Sequence, residues 1–293
     1  MRLGALEAGG TKMVCSIGDE NGKILDRETF PTLSPAETLP PMIEYFRKAD
    51  IEALGISSFG PLDLNPASPT YGFVTTTPKP GWGNCPLLPE FQKALGVPVG
   101  IDTDVGGAAL AEFELGAAKG LANCVYVTVG TGIGAGVVAE GRLLHGMVHP
   151  EWGHILMRPH PEDPTPHGFC PYHDGCLEGL AAGPAIDKRW GKPSRELPKD
   201  HIAWEIEAYY LAQLCATALV TISTEKIILG GGVMSEKFLF PMIREQTLKF
   251  LNGYVAADQV LNHIDDLIVP PGLGIHSGVT GALLLAAAAH SER

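Results

Sequence analysis

Basic residues are scarce. The chain has 21 lysines and arginines against 33 acids, a formal net charge of -12 at pH 7. That surplus argues against nucleic acid or an anionic membrane as the main partner. Long apolar runs are also missing. The most apolar stretch near the end, Gly281 to Ala289, is far too short to span a bilayer. No signal peptide is visible, since Met1-Arg2-Leu3-Gly4 leads straight into a strand-like segment. A cytoplasmic protein is expected. No Walker A loop occurs, and neither does the signature set of protein kinases. The six cysteines are mostly scattered; Cys15, Cys124 and Cys215 lie in apolar runs and read as small buried hydrophobes.

What is present in quantity is glycine and proline, 36 and 24 residues spread along the chain. Such dispersal fits many tight turns rather than disorder. The 293 residues suffice for two domains. Leu3 to Leu6, Met13 to Ile17 and Lys23 to Thr29 read as strands, with a Gly-Thr loop after the first and Asn21-Gly22 supplying turn chemistry before the third. Pro35 to Lys48 has helical spacing, and residues 62–90 read as irregular. The opening pattern then returns. Cys124 to Val129 reads as a strand, residues 130–136 as a glycine loop, and Val137 to Ala139 and Arg142 to Leu144 as strands. This is a repeat of a supersecondary unit. It predicts two related α/β domains, each presenting a hairpin loop to a shared cleft. The boundaries expected are 1–118, completed by a C-terminal helix over 277–290 with Ser277 as its N-cap, and 119–276.

Backbone N–H groups free of side chains can surround phosphate oxygens. Gly9-Gly10-Thr11-Lys12 offers such a turn with a hydroxyl and a cation, and Gly130-Thr131-Gly132 offers a second. Either loop alone could exist for its turn geometry only; two at equivalent places in a repeat point to phosphate. Gly132-x-Gly134-x-Gly136 is not a dinucleotide fingerprint, because the chain continues as strand and turn instead of opening a helix. Gly230-Gly231-Gly232 follows the strand Lys226 to Leu229 and could receive an adenosine or its phosphates. Read alone, it is a strand-to-helix turn. Phosphoryl transfer also needs a group to receive the acceptor's proton. Asp104, at a strand end where a helix begins, fits that role or that of a simple N-cap, and Asp102 competes with it.

His154, Cys170, His173 and Cys176 make a four-ligand set of the kind that holds structural zinc, with Cys-x-x-His-x-x-Cys as its core. A metal would supply folding energy that the loop 154–178 lacks. His145, His149, His160 and His167 compete for the upstream position; a chance grouping in a histidine-rich loop is the alternative, and two thiols at this compact spacing in a cytosolic chain favour zinc over it. Glu151 and Glu178 flank the cluster and could accept from sugar hydroxyls, or simply lie on a charged surface loop.

Together these residues resemble the ROK family (repressors, open reading frames, kinases) over essentially the whole chain. Glu151-Trp152-Gly153-His154 resembles its sugar and zinc motif, and Cys170 to Glu178 its zinc loop. The two Gly-Thr loops and Gly230-Gly231-Gly232 resemble its nucleotide-binding turns. The resemblance implies a two-domain actin/hexokinase-like ATPase fold (ribonuclease H-like) with an interdomain cleft and a zinc-binding loop. It implies Asp104 as general base, with Glu151, His154 and Glu178 on the sugar. Gly9, Gly10, Thr11, Lys12, Gly130, Thr131 and Gly132 would lie near the phosphates of ATP, and Pro184, Gly231 and Gly232 near the adenosine. ATP, Mg²⁺ and structural Zn²⁺ are the implied cofactors, and a homodimer the implied assembly. Glu7 stands where many members have Asp, Thr103 and Gly106 where many have Asn, and His173 where cysteine is commoner. The opening loop, Asp-Thr-Asp and Cys-x-x-His-x-x-Cys together resemble the bacterial fructokinase branch. An ATP-dependent fructokinase is thus expected, with glucose, mannose or an N-acetylhexosamine as alternative acceptors. A sugar-responsive repressor of the same family is disfavoured, because the first strand starts at Leu3 with no preceding DNA-binding segment and the net charge is acidic. A non-catalytic ATP switch is disfavoured by Asp104 and the sugar-facing carboxylates.

Overall fold

The computed structural model describes residues 1–77 and 79–291. Two compact units emerge: residues 1–116, 143–150 and 275–293 form the first, and residues 117–142 and 151–274 the second.

The first unit starts with β1 (Leu3–Ala8), β2 (Lys12–Gly18) and β3 (Ile24–Pro31), followed by α1 (Pro35–Ala49), β4 (Ala53–Ser58), α2 (Leu87–Leu95), β5 (Val99–Thr103) and α3 (Asp104–Glu114). Its sheet runs β3-β2-β1-β4-β5. The first three strands are antiparallel neighbours, and β4 and β5 add on parallel. β1 and β4 are buried almost throughout, as expected of strands covered on both faces. One face packs Leu6, Ile56, Phe46, Phe91 and Trp82 into a core; the other packs on the C-terminal helix.

In the second unit β6 (Cys124–Val129), β7 (Ile133–Ala139) and β8 (Arg142–Leu143) precede α4 (Leu177–Ala181), α5 (Gly183–Trp190) and α6 (Ile202–Thr221). Then come β9 (Lys226–Gly230), α7 (Leu239–Leu251), α8 (Asp258–Leu261), α9 (Ile264–Leu267) and β10 (Ile268–Val269). The sheet order is β10-β9-β6-β7-β8. This repeats the first sheet strand for strand: a hairpin at the centre, a third strand on its outer edge, and two parallel strands on the other side. The internal repeat expected from the Gly-Thr loops thus extends to five strands. α6 is buried on nearly every side, so it shows no amphipathic stripe and is the centre of this unit's core.

The last helix, α10 (Ser277–Ser291), belongs to the first unit. It crosses α3 so closely that a Cβ built on Gly281 would lie 2.0 Å from the carbonyl oxygen of Gly107. Only glycine fits there, which explains the small-residue character of both helices. Ser277, expected as the N-cap, is instead the first residue of α10, because its hydroxyl donates to Glu112 at 2.7 Å.

Two other local readings differ from the sequence expectation. The glycine loop shortens to 130–132, because Gly134 and Gly136 already pair with Thr128 and Tyr126 in the ladder. Residues 62–90 contain the start of α2, whose Leu87, Leu88 and Phe91 are buried.

Candidate active site

In the first unit β5 delivers Asp102 and Thr103 to the end of the sheet, where α3 begins at once. Thr103 is the N-cap: its hydroxyl oxygen accepts from the Gly106 amide at 2.9 Å. Asp104 is therefore not the cap. It is the first helical residue, and its Oδ1 accepts from the Val105 amide at 2.9 Å. Burial pushes the Asp104 carboxyl up to about 6, against the pull of the Val105 N–H; the Glu7 carboxylate adds to the rise and Lys79 opposes it. Such a carboxylate can take a proton near neutral pH.

Asp102 is committed elsewhere. Its Oδ1 accepts from the Thr103 amide at 2.7 Å, and its Oδ2 lies 2.9 Å from Nε2 of His145. That hydrogen bond raises His145 above the usual histidine range. His149 Nε2 accepts from the Leu62 amide at 3.1 Å, and burial lowers its proton affinity. These two histidines hold residues 143–150 to the first unit. His160 accepts from the Glu162 amide, and His167 bonds to Asp174. All four competitors for the upstream metal position are thus occupied with protein partners.

Gly9-Gly10-Thr11-Lys12 forms the β1–β2 turn. The Gly9 amide donates to the Lys12 carbonyl at 3.0 Å, and Thr32 Oγ1 donates to the Gly9 carbonyl at 2.9 Å. Gly10, Thr11 and Lys12 are exposed. Glu7, just before the turn, is largely buried, which raises its proton affinity; Arg27, Lys12 and His276 offset this. The sequence reading missed Lys79, whose Nζ donates to the Gly10 carbonyl at 3.1 Å.

In the second unit three backbone turns gather at the ends of β6 and β9. The Gly183 amide donates to the Gly130 carbonyl at 2.8 Å, which brings Pro184 and the start of α5 to the Gly130-Thr131-Gly132 turn. Gly231 has φ +89°, and a Cβ there would lie 2.4 Å from the Val129 carbonyl oxygen, so glycine is required on both counts. Gly232 follows it, and Thr131 is exposed.

Glu178 on α4 joins this group to the histidine-rich loop. Its Oε2 accepts from the Ile133 amide at 2.9 Å. The carbonyl of the same Ile133 faces Gly153, where a Cβ would lie 1.9 Å away. The glycine of Glu-Trp-Gly-His is therefore a packing requirement that sets a short 3₁₀ turn, with Glu151 just before it and His154 as its last residue. Trp152 packs on the core of this unit, whereas Glu151 is exposed.

The ligand atoms of His154, Cys170, His173 and Cys176 all lie within 4.8 Å of one another. Cys170 Sγ is 3.5 Å from His173 Nδ1 and 3.9 Å from His154 Nδ1, and Cys176 Sγ is 3.7 Å from His154 Nδ1. Two thiols and two imidazoles at this spacing fit a tetrahedral cation with bonds of about 2.0 to 2.3 Å. Below them, the loop is fastened by a buried ion pair: Arg189 meets Asp163 at 2.9 Å and donates to the Leu180 carbonyl at 2.8 Å, and Tyr210 donates to Asp163 at 2.7 Å.

No helix among the described residues is long and apolar enough to cross a membrane. The model of the ROK family matches residues 3–289. Fructokinase of Pediococcus pentosaceus is 48% identical, with 99% of each chain covered. Fructokinase of Zymomonas mobilis is 46% identical, with 99% of this chain and 97% of that one covered. Among solved structures, a ROK hexokinase from Thermus thermophilus superposes with a TM-score of 0.78 at 29% identity, with both chains covered completely. The α/β architecture of two like sheets is that of ROK hexokinase structures, and the chain belongs to the ROK family.

Proposed function

We propose that the chain is an ATP-dependent fructokinase, which transfers the terminal phosphoryl group of ATP to the 6-hydroxyl of D-fructose. The observation that carries the reading is Asp104: a carboxylate freed from capping by Thr103 and raised to about 6 by burial. The fructokinases of Pediococcus pentosaceus and Zymomonas mobilis, at 48% and 46% identity, support the choice of sugar.

In this reading Asp104 accepts the hydroxyl proton as the phosphoryl group moves. Glu151, His154 and Glu178 hold sugar hydroxyls. Thr11, Lys12 and Thr131 meet phosphate oxygens, with the amides of Gly9, Gly10, Gly130 and Gly132 around them. Pro184, Gly231 and Gly232 border the adenosine. Mg²⁺ accompanies ATP and neutralises phosphate charge. His154, Cys170, His173 and Cys176 would hold Zn²⁺ in a structural role, and that ion would pin the segment carrying Glu178. The same reading includes a homodimer in the cytoplasm, the first part of which sedimentation velocity tests.

The test is a panel of fructose, glucose, mannose and N-acetylhexosamines with ATP–Mg²⁺. Fructose should give the highest kcat/KM, with fructose 6-phosphate as product. Asp104→Asn should lower kcat by about 10² to 10⁴, the range general base catalysis supplies, while calorimetry still detects the sugar. Near-normal turnover in that variant would falsify the assigned base, and a strong preference for another hexose would replace the substrate.

A further inference from the structure

We propose that His145 and His149 are positioning residues: they clamp the segment 143–150 and thereby fix the place of Glu151, so that their protonation sets the affinity for the hexose. The inference rests on the kinase reading above, in which Glu151 holds a sugar hydroxyl.

The segment is irregular after β8, and Leu144 to Val148 are exposed, Met147 almost fully. A stretch with so little buried apolar surface keeps one shape only through polar contacts at fixed points. His145 supplies the first: its Nε2 lies 2.9 Å from Oδ2 of Asp102. That carboxylate is buried and closely fitted, since a Cβ on Gly106 would lie 2.0 Å from its Oδ1. His149 supplies the second. It is buried, and its Nε2 accepts from the Leu62 amide at 3.1 Å. A Cβ on Gly60 would lie 3.3 Å from the same nitrogen, so the ring rests against bare backbone. Pro150 then joins His149 to Glu151. Its ring fixes one of its own backbone angles and narrows those of His149. A shift of the His149 ring is thus passed to Glu151 with little slack.

The two histidines hold on in opposite protonation states. Nε2 of His149 accepts from an amide, so it must be bare, and a charged imidazole has no lone pair to offer. Burial lowers the proton affinity of His149; the Pro150 backbone and Asp102 raise it, and His145 lowers it again. His145 must instead donate from Nε2 to a carboxylate, and it does so most strongly as the cation. The hydrogen bond to Asp102 raises its proton affinity, burial opposes this, and the charge of Asp102 adds to the rise. Acidification therefore breaks the His149 contact, and alkali weakens the His145 contact. The clamp is tightest in a window that spans the ordinary histidine value of about 6.5. A pair that served only to fill space would show no such window.

The experiment measures KM for fructose from pH 5 to pH 9 in the wild type and in His145→Ala, His149→Ala, His145→Gln and His149→Gln, after circular dichroism has verified folding. Each alanine variant should raise KM for fructose roughly three- to tenfold, about what one hydrogen bond contributes. KM for ATP and kcat should stay within about twofold of wild type. Glutamine places an amide near the position of Nε2 and can donate or accept without titrating. His149→Gln should keep the wild-type KM at pH 7 and abolish its rise at acid pH; His145→Gln should do the same on the alkaline side. Unchanged KM in the alanine variants overturns the proposal, and so does a glutamine variant that keeps the wild-type pH dependence. An equal rise in KM for ATP also overturns it, as general loosening. In parallel, ¹⁵N NMR of the two imidazoles needs no turnover: at pH 7 His149 should carry its proton on Nδ1 alone, and His145 should carry one on Nε2. Absence of hexose phosphorylation by wild type would instead sink the kinase reading, and the imidazole protonation would still decide whether the clamp exists.

Discussion

The carboxylate of Glu178 accepts a hydrogen bond from the backbone amide of Ile133 at 2.9 Å, so an acid on α4, just after the histidine-rich loop, holds the first residue of β7 and, with it, the Gly130-Thr131-Gly132 turn. A residue proposed to bind sugar is thus mechanically joined to one proposed to bind phosphate. The two roles are separable by substitution. Glu178→Ala removes both the charge and the acceptor. It should raise KM for the hexose about tenfold and KM for ATP several-fold, because the turn is released. Glu178→Gln retains an oxygen for the Ile133 amide. It should raise KM for the hexose while leaving KM for ATP near the wild-type value. Equal effects of both variants on ATP would show that the bond to Ile133 does not shape the turn.

Asp104 links activity and stability in opposite senses. As a base it works only when ionised, so kcat/KM should rise as pH climbs through about 6 and level off above. Its folded pKa lies above the unfolded value, so its favourable contribution to folding is complete below about pH 4 and is lost as pH rises through 6. Asp104→Asn should escape that loss. Urea denaturation at pH 5 and pH 8 should show the variant gaining on the wild type as pH increases. A constant gap between the two would mean that burial does not burden this carboxylate.

Much of this was readable in the sequence because the signals are local. The β1–β2 turn was visible from Gly9-Gly10-Thr11-Lys12, and its recurrence at Gly130-Thr131-Gly132 revealed the repeat that the two sheets display. Glu-Trp-Gly-His was recognisable as a motif, but its physical cause, the Ile133 carbonyl beneath Gly153, was not, since that contact spans separate elements. α2 was hidden by Pro86 and Pro89 at its start, and α4 and α5 are too short to show a period. Lys79 escaped notice for a similar reason. Its partner Gly10 lies 69 positions away, and nothing in the surrounding turn-rich stretch marks a cation as special.

The four-ligand cluster predicts that metal content follows the thiols. Cys170→Ser is the cleaner variant, because Cys176 also caps α4 by accepting from the Gly179 amide. Plasma mass spectrometry should find about one zinc per wild-type chain and little in the variant. Limited proteolysis should then cut within 157–170 sooner, and KM for the hexose should rise at least tenfold as Glu178 loses its anchorage, an effect on the order of that seen when supports of a metal site are removed. Full activity in a zinc-free protein would remove the metal from the scheme.

Deep in the second unit, Glu207 on α6 is fully buried, and neither of its carboxylate oxygens has a hydrogen-bond partner among the described residues. Burial raises its pKa well above the ordinary value, with Arg189 pulling weakly the other way. Arg189 is already engaged with Asp163, so it cannot neutralise both acids fully. Burial without a hydrogen-bond partner therefore favours the neutral form of Glu207 in the folded chain. Unfolded chains ionise this residue above roughly pH 4.3, whereas the folded chain resists, so each rise in pH beyond that point favours unfolding until the folded pKa is passed. Glu207→Gln keeps the shape and removes the proton equilibrium. The variant should lose a smaller share of its stability between pH 5 and pH 8 than the wild type, measured as the shift in urea midpoint. Identical pH slopes would mean that Glu207 is ionised in the folded protein, stabilised by a partner that compensates its charge.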